Sequence, residues 1–417
     1  MYKIACDYSY GNIISILFEY QNFRNIPTNF TENFSWFMII SLSPLMIKIF
    51  NKESLSSSII TILILVSLIP TTTLIAFDST YKIEYLILMY LYWLLLLTAN
   101  INLPIIVINK GQIKGFKNAY KYITIILCTT VIFVSWKFTG LRFHFGLLDV
   151  YDLRAEARGY EVSLIVGYLS TFSDNLLPVL LVYFLYKKKY TIAVLILVVI
   201  LLNFGVTATK QILFLLFLAL FGFVAVKSFK FIRLYIWAFL ILIYICISEF
   251  IIFGTYFISI FSIYRIFFIP AKLHNVYYDF FSTRELDYFR QSALKYFLNS
   301  PYKENIGFLM GDYDTGDITA RANNGLFSDA YMNFGLIGVL IFPIIVVLIL
   351  KILDGATKGL SQRILFIVTS SISFVFLGLP FTTALFSAGI VVLIIFLYTL
   401  PKENINYNNN EESLSYN

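Results

Sequence analysis

KKKYTIAVLILVVILLNFGVTATK, residues Lys187–Lys210, is the stretch whose reading decides the fold. Three lysines precede Tyr190–Thr209, which carries no charged side chain, and Lys210 closes the run. About twenty apolar residues in helical geometry cover the roughly 30 Å hydrocarbon core of a bilayer, and lysines at the ends reach the headgroups. The stretch therefore reads as a membrane-spanning helix. The pattern recurs: Ser54–Phe77, Tyr85–Asn109, Tyr122–Trp136, Gln211–Val226, Leu234–Ser248 and Ala330–Leu350 hold no Asp, Glu, Lys or Arg. Ile364–Pro401 is also uncharged but too long for one helix, and Gly378-Leu379-Pro380 breaks it into two joined by a tight turn. With Phe34–Phe50 and Leu164–Tyr186, the latter interrupted by Asp174, the sequence predicts an all-α polytopic membrane protein of about eleven transmembrane helices. Residues 1–417 read as one integral-membrane domain.

Composition agrees. The chain is 59% hydrophobic and 13% charged, with a mean hydropathy of +0.80, whereas soluble domains are ~45–50% apolar and ~25% charged. A soluble enzyme and a disordered protein are both excluded. Cys6, Cys128 and Cys246 are scattered, and the only histidines are His144 and His274, so a disulfide framework, a CxxC metal site and His-rich metal chemistry are excluded as well. No cofactor is expected. Met1–Tyr10 carries Asp7 and lacks an apolar core, so it does not read as a cleavable signal peptide.

Basic residues in short loops orient the spans. Lys48 and Lys52, Lys110 with Lys114, Lys117 and Lys121, Lys187–Lys189, Lys227 with Lys230 and Arg233, Lys351 with Lys358 and Arg363, and Lys402 recur after every second span, which makes that side cytoplasmic. The intervening short loops hold only Lys82 and Lys210. Two long loops, 139–163 and 257–334, then face outward with the N-terminal arm. Phe257–Pro270 is read as an outer-interface segment because it is short, has Arg265 in its middle and ends at Pro270. The Asn-rich stretch 402–417 is read as a disordered cytoplasmic tail. The net charge of +7 is thus largely topology, and no nucleic-acid partner is implied.

Polar residues concentrate in the two outer loops. Intramembrane charge is confined mainly to Asp174 and Glu249, each read as a structural pair before a relay. Arg154 and Arg158 are four apart, so on a helix they share a face and can aim two guanidinium forks at one anion. The competing reading is a solvated amphipathic helix in which Asp152 and Glu156 pair with the arginines. His144, between two phenylalanines, reads as a packed interface residue. The second loop holds Arg265, His274, Tyr277-Tyr278-Asp279-Phe280-Phe281, Arg284, Arg290 and Arg321-Ala322-Asn323-Asn324-Gly325. Aromatic rings with Asp and Asn suit a sugar site, and arginines near a membrane surface suit a lipid-linked phosphate. An interfacial aromatic belt explains Tyr277 and Phe281 equally well, but neither Arg321 nor Asn324.

On these residues the chain resembles a known family. Tyr264-Arg265-Ile266-Phe267-Phe268-Ile269-Pro270-Ala271, Tyr277–Phe281, Asn299-Ser300-Pro301-Tyr302, Asn305-Ile306-Gly307 and Ala322–Gly338 are similar to the bacterial oligosaccharide repeat-unit polymerases of the O-antigen polymerase (Wzy) type. The resemblance implies a metal-independent membrane glycosyltransferase of GT-C-like architecture in the bacterial inner membrane. Its substrates would be polyprenyl-diphosphate-linked oligosaccharides, as donor and acceptor, joined into lipopolysaccharide O-antigen or another surface polysaccharide at the outer face. A chain-length regulator, a flippase and membrane lipids are the implied partners.

Such a reaction releases a diphosphate, and Arg154, Arg158, Arg265 and Arg321 are the expected charge-stabilising groups. Lys210, in the turn Thr207-Ala208-Thr209-Lys210, sits where related ligases carry a basic residue. Tyr277, Tyr278, Asp279, His274, Asn323 and Asn324 are the expected substrate binders. Asp152, Glu156, Glu161 and Asp279 remain open as general base. Related ligases carry a His-Asn pair where this chain has Asn323-Asn324, which disfavours an O-antigen ligase. A lipid-linked oligosaccharide flippase is disfavoured by the absence of charges lining the helices and of repeat symmetry.

Overall fold

The computed structural model describes residues 1–108, 119–144, 146, 150–228 and 231–402. Lys110, Lys114, Lys117, Lys230, Phe145 and the expected tail from residue 403 onward lie outside them. All regular structure among the described residues is helical, and an isolated bridge joins Ile26 to Asp78. Nine of these helices are long and apolar enough to cross a membrane: Asn29–Phe50, Leu55–Phe77, Ile83–Asn102, Ala119–Thr139, Leu164–Tyr186, Tyr190–Thr207, Phe231–Phe253, Phe257–Ser282 and Phe327–Thr357. Eight coincide with expected spans, which makes the chain a polytopic, all-helical membrane protein. Three further expected spans are shorter apolar helices, Lys210–Ala225, Gln362–Gly378 and Ile390–Thr399.

Phe257–Ser282 departs from the expectation of an interface segment followed by loop. It is one helical run, with π-helical winding over Ile260–Phe268 and α-helical winding from Ile269. Pro270 does not end it, because Pro270 falls in the first turn of the α-helical part, where a fixed φ and a missing N–H are tolerated. Arg265 does not prevent burial either. Ile263, Tyr264, Phe267 and Phe268 form the buried face while Arg265 stays exposed. Glu249 starts the run, accepting hydrogen bonds from the Ile258 N–H at 2.9 Å and the Thr255 hydroxyl at 3.1 Å. A second helix, Ile306–Thr315, also lies inside the expected loop.

The chain forms two compact units. The first comprises Met1–Ile105, Phe229–Lys351 and Thr369–Ile390. Its spine is Leu55–Phe77, whose most apolar window is wholly buried. The spine nevertheless carries many hydroxyls, and several of them turn back onto its own backbone: Ser58 donates to Ser54 O, Thr61 to Ser57 O and Thr72 to Ile69 O. Small side chains whose polarity is satisfied locally let neighbouring helices approach closely. Lys351, one of the lysines used to assign the cytoplasmic side, is fully buried against the protein and donates to Ser56 Oγ at 3.1 Å. Phe327–Thr357 is kinked at Gly335, whose φ of 54° a side chain would resist. Before the kink, Asp329 is buried and accepts from the Phe381 N–H at 2.7 Å, capping the helix that restarts after the Gly378-Leu379-Pro380 break.

The second unit comprises Ile106–Ser228, Ile352–Val368 and Val391–Asn417. Asp174 accepts from Asn203 at 2.6 Å and so ties Leu164–Tyr186 to Tyr190–Thr207. The latter helix stops because Ala208 turns into the left-handed region, with φ at 49°. Near that end, a Cβ on Gly205 would stand 2.3 Å from Arg142 O, so only glycine admits the chain there.

Candidate functional site

In the first unit, Arg265, Arg321 and Asn323 line one cavity of about 660 Å³. Arg265 projects from the exposed face of Phe257–Ser282, and Arg321 from the strap that follows Ile306–Thr315. The strap is pinned on both sides of Arg321. A Cβ on Gly311 would meet Ala320 O at 2.0 Å. Ala322 N–H donates to Gly307 O at 2.8 Å, and the Tyr277 hydroxyl donates to Ala322 O at 2.8 Å. Neither guanidinium pairs with a carboxylate among the described residues. Instead Arg265 lies 5.6 Å from the Phe261 ring and Arg321 lies 5.7 Å from that of Phe308. The other walls are largely apolar, with Ile266, Leu273, Phe374 and Leu377 among them. Such a space suits a ligand with an anionic head and a hydrocarbon body.

Two further groups at this cavity were not singled out from sequence. Lys272 and Asp314 form an ion pair at 2.7 Å with only 7% and 11% of their side chains exposed. Burial pushes the Asp314 carboxyl above its usual range, and the Lys272 charge offsets this only in part. The N-terminal arm supplies Gln21, whose carbonyl accepts from Lys272 at 2.6 Å and whose side chain accepts from Tyr264. Because each member of the pair is largely desolvated, Lys272→Met alone is expected to lower stability by about 3–5 kcal/mol. Adding Asp314→Leu should recover most of that loss. Thermal unfolding of both variants in detergent is the measurement, and a single variant as stable as the wild type would contradict the assignment.

Five expected substrate binders do not line this cavity, and four of them are buried. Tyr277, Tyr278, His274 and Asn324 are at most 2% exposed. Tyr278 donates to Glu84 at 3.1 Å. His274 bridges helices, with Nε2 at 3.0 Å from Ser67 Oγ and Nδ1 at 2.9 Å from Ser328 Oγ. Asn324 donates to Pro270 O at 3.0 Å and Ser328 Oγ at 2.8 Å. These side chains hold the wall of the cavity from behind. Asp279 is half-exposed and pairs with Lys82 at 2.9 Å.

In the second unit, Arg154 and Arg158 line a separate cleft of about 380 Å³, on one face of the helix Val150–Arg158 as their spacing implied. Arg154 Nε also donates to Ala208 O at 3.2 Å and so steadies the turn before Lys210, which opens the helix Lys210–Ala225. Glu156 is engaged elsewhere. It accepts from Tyr160 at 2.7 Å and from Arg142 at 2.9 Å, and those two bonds, in that order, hold its carboxyl below the usual range. A carboxylate so stabilised is a poor base. Asp152 and Glu161 are exposed, and neither they nor Lys210 line the cleft. Among the described residues no group of three or more His, Cys, Asp or Glu is placed to hold a metal ion. Compared with known proteins, the chain matches no family model, no curated protein and no solved structure.

Proposed function

We propose that the protein is a membrane glycosyltransferase that joins polyprenyl-diphosphate-linked oligosaccharide repeat units into a surface polysaccharide at the outer face of a bacterial inner membrane. The observation that carries the reading is the cavity of Arg265 and Arg321, where two guanidiniums with no carboxylate partner among the described residues meet largely apolar walls. A lipid-linked diphosphate has that chemistry, a doubly charged head on a hydrocarbon chain. In the reaction, a hydroxyl oxygen of the acceptor sugar bonds to the anomeric carbon of the donor glycan. The bond from that carbon to the diphosphate breaks, the hydroxyl proton passes to a base, and the polyprenyl diphosphate departs. Fixed guanidiniums stabilise the charge that grows on the departing group. Arg154 and Arg158, in the second unit, are proposed as contacts to an anionic group of a lipid-linked substrate. A GT-C-like architecture is part of the same reading.

Glycan analysis of a deletion strain tests the class. Single repeat units exported on their carrier, with the polymer ladder missing, are expected. Units trapped inside would indicate a flippase, and polymer retained on its carrier would indicate a ligase. Orientation is tested separately. A reporter fused at Lys188 is expected in the cytoplasm and one at Ser300 outside. A cytoplasmic Ser300 reporter would mean that Phe257–Ser282 crosses the membrane and that the cavity faces inward.

A further inference from the structure

Lys272 and Asp314 line a second, polar cleft of about 440 Å³ as well as the arginine cavity, so one ion pair forms a wall common to both. The cleft differs from its neighbour in kind. Its charged lining consists of three cations, Arg24, Lys82 and Lys272, and three carboxylates, Asp78, Asp279 and Asp314. The charges are also engaged within the protein: Lys82 with Asp279 at 2.9 Å, Lys272 with Asp314 at 2.7 Å, and Arg24 with the Thr80 hydroxyl at 2.8 Å, which itself donates to Asp78 at 2.6 Å. With charges balanced and engaged, the cleft has no excess of either sign to draw in an ion. What it offers instead is many donors and acceptors side by side, two tyrosine rings, Tyr81 and Tyr313, and one amide left over. That amide is Asn275, half-buried on Phe257–Ser282, whose side chain makes no hydrogen bond to any described residue.

We infer that this cleft is a saccharide-binding site that takes neutral sugar residues of a glycan. Sugar hydroxyls both donate and accept, so they can insert among paired charges, while the C–H face of the ring lies on tyrosine. The amide of Asn275 can donate to one hydroxyl and accept from another. The Lys272–Asp314 wall then stands where the anomeric end of the glycan meets its diphosphate. The inference deepens the polymerase reading and rests on it both for the identity of the glycan and for the assignment of head and sugar to one molecule.

The test uses the purified full-length chain in detergent and two probes measured separately. The first is a panel of neutral mono- to tetrasaccharides built from hexoses, N-acetylhexosamines and deoxyhexoses, followed by saturation-transfer NMR. The second is farnesyl diphosphate, followed by calorimetry. At least one neutral saccharide is expected to bind, with its affinity falling tenfold or more in Asn275→Ala and in Lys82→Ala. Both variants should keep wild-type unfolding temperatures, because the first removes a side chain with no hydrogen-bond partner among the described residues and the second an exposed one. Farnesyl diphosphate binding should be unchanged in these variants and lost in Arg321→Ala. Absence of saccharide binding across the panel, or binding that survives both substitutions, overturns the inference. So does displacement of a bound saccharide by inorganic phosphate. If saccharides bind as expected but farnesyl diphosphate does not, the cleft stands and the polymerase reading falls.

Discussion

Replacing Arg321 by alanine is expected to abolish long glycan chains while leaving single-repeat products and protein abundance near the wild-type level. Abundance should hold because Arg321 is exposed, so its removal orphans no buried partner among the described residues. Activity should not. A single preorganised donor aimed at developing negative charge typically contributes about 10²–10³ in rate, or roughly 3–4 kcal/mol. A polymer is built by repeated transfer, so a loss of that size at each step removes the upper rungs of a ladder entirely. Arg265→Ala should act in the same direction. Arg321→Lys should restore little, because a point charge does not reproduce the planar fork that grips two phosphate oxygens. Gel ladders and immunoblots read both quantities together. Full-length polymer from Arg321→Ala at normal abundance would remove that residue from the reaction.

The opposite pattern is expected at Asn324, where activity and abundance should fall together. Its amide donates to Pro270 O and Ser328 Oγ and lies 3.2 Å from His274 Nδ1. Alanine leaves acceptors without donors in a site that water does not reach, at about 1–3 kcal/mol for each. Two such groups lost consume much of the ~5–15 kcal/mol by which a typical domain is stable. Asn324→Asp is expected to fare no better, since a carboxylate has no N–H to donate. Gly325→Ala should be at least as damaging. A Cβ there would stand 2.1 Å from Phe376 O and 2.7 Å from Leu379 O, and backbone atoms cannot swing aside as a flexible side chain can. Thermal unfolding in detergent separates these variants from Arg321→Ala. A stable, well-expressed but inactive Asn324→Ala would restore that residue to the role of hydroxyl binder.

These two residues show what the sequence could and could not convey. Span existence was legible, because a charge-free run of membrane length has few other uses. The helical continuity of Phe257–Ser282 was missed because a single arginine and a proline look disruptive in one dimension. In three dimensions Arg265 lies on the exposed face and Pro270 in a tolerant first turn. At the candidate site, the arginines and Asn323 stood out in sequence as cations and amides gathered in one long segment between spans. The neighbouring Asn324, His274 and Tyr277 have similar composition, yet they point into the protein interior, and nothing in the local sequence states which side of a wall a polar residue faces. Lys272, Asp314 and Gln21 were missed for a different reason. Their partners are distant in sequence, Gln21 and Lys272 being 251 residues apart, and no local pattern encodes such a meeting.

The enclosed spine has a consequence for how the protein is made. Leu55–Phe77 leaves the ribosome well before Phe231–Phe253 and Phe257–Ser282, two of the helices that pack around it. At about 5–20 residues per second, the synthesis of the roughly 150 to 180 intervening residues takes on the order of ten seconds or more. Throughout that interval a segment rich in serine and threonine must reside in lipid with part of its future wrapping still unmade. Hydroxyls folded back onto its own carbonyls make this possible, because the helix brings its own hydrogen-bond partners into the bilayer. The spine is thus committed early and covered in part only late, so faults in late synthesis should be felt in the middle of the molecule rather than at its end.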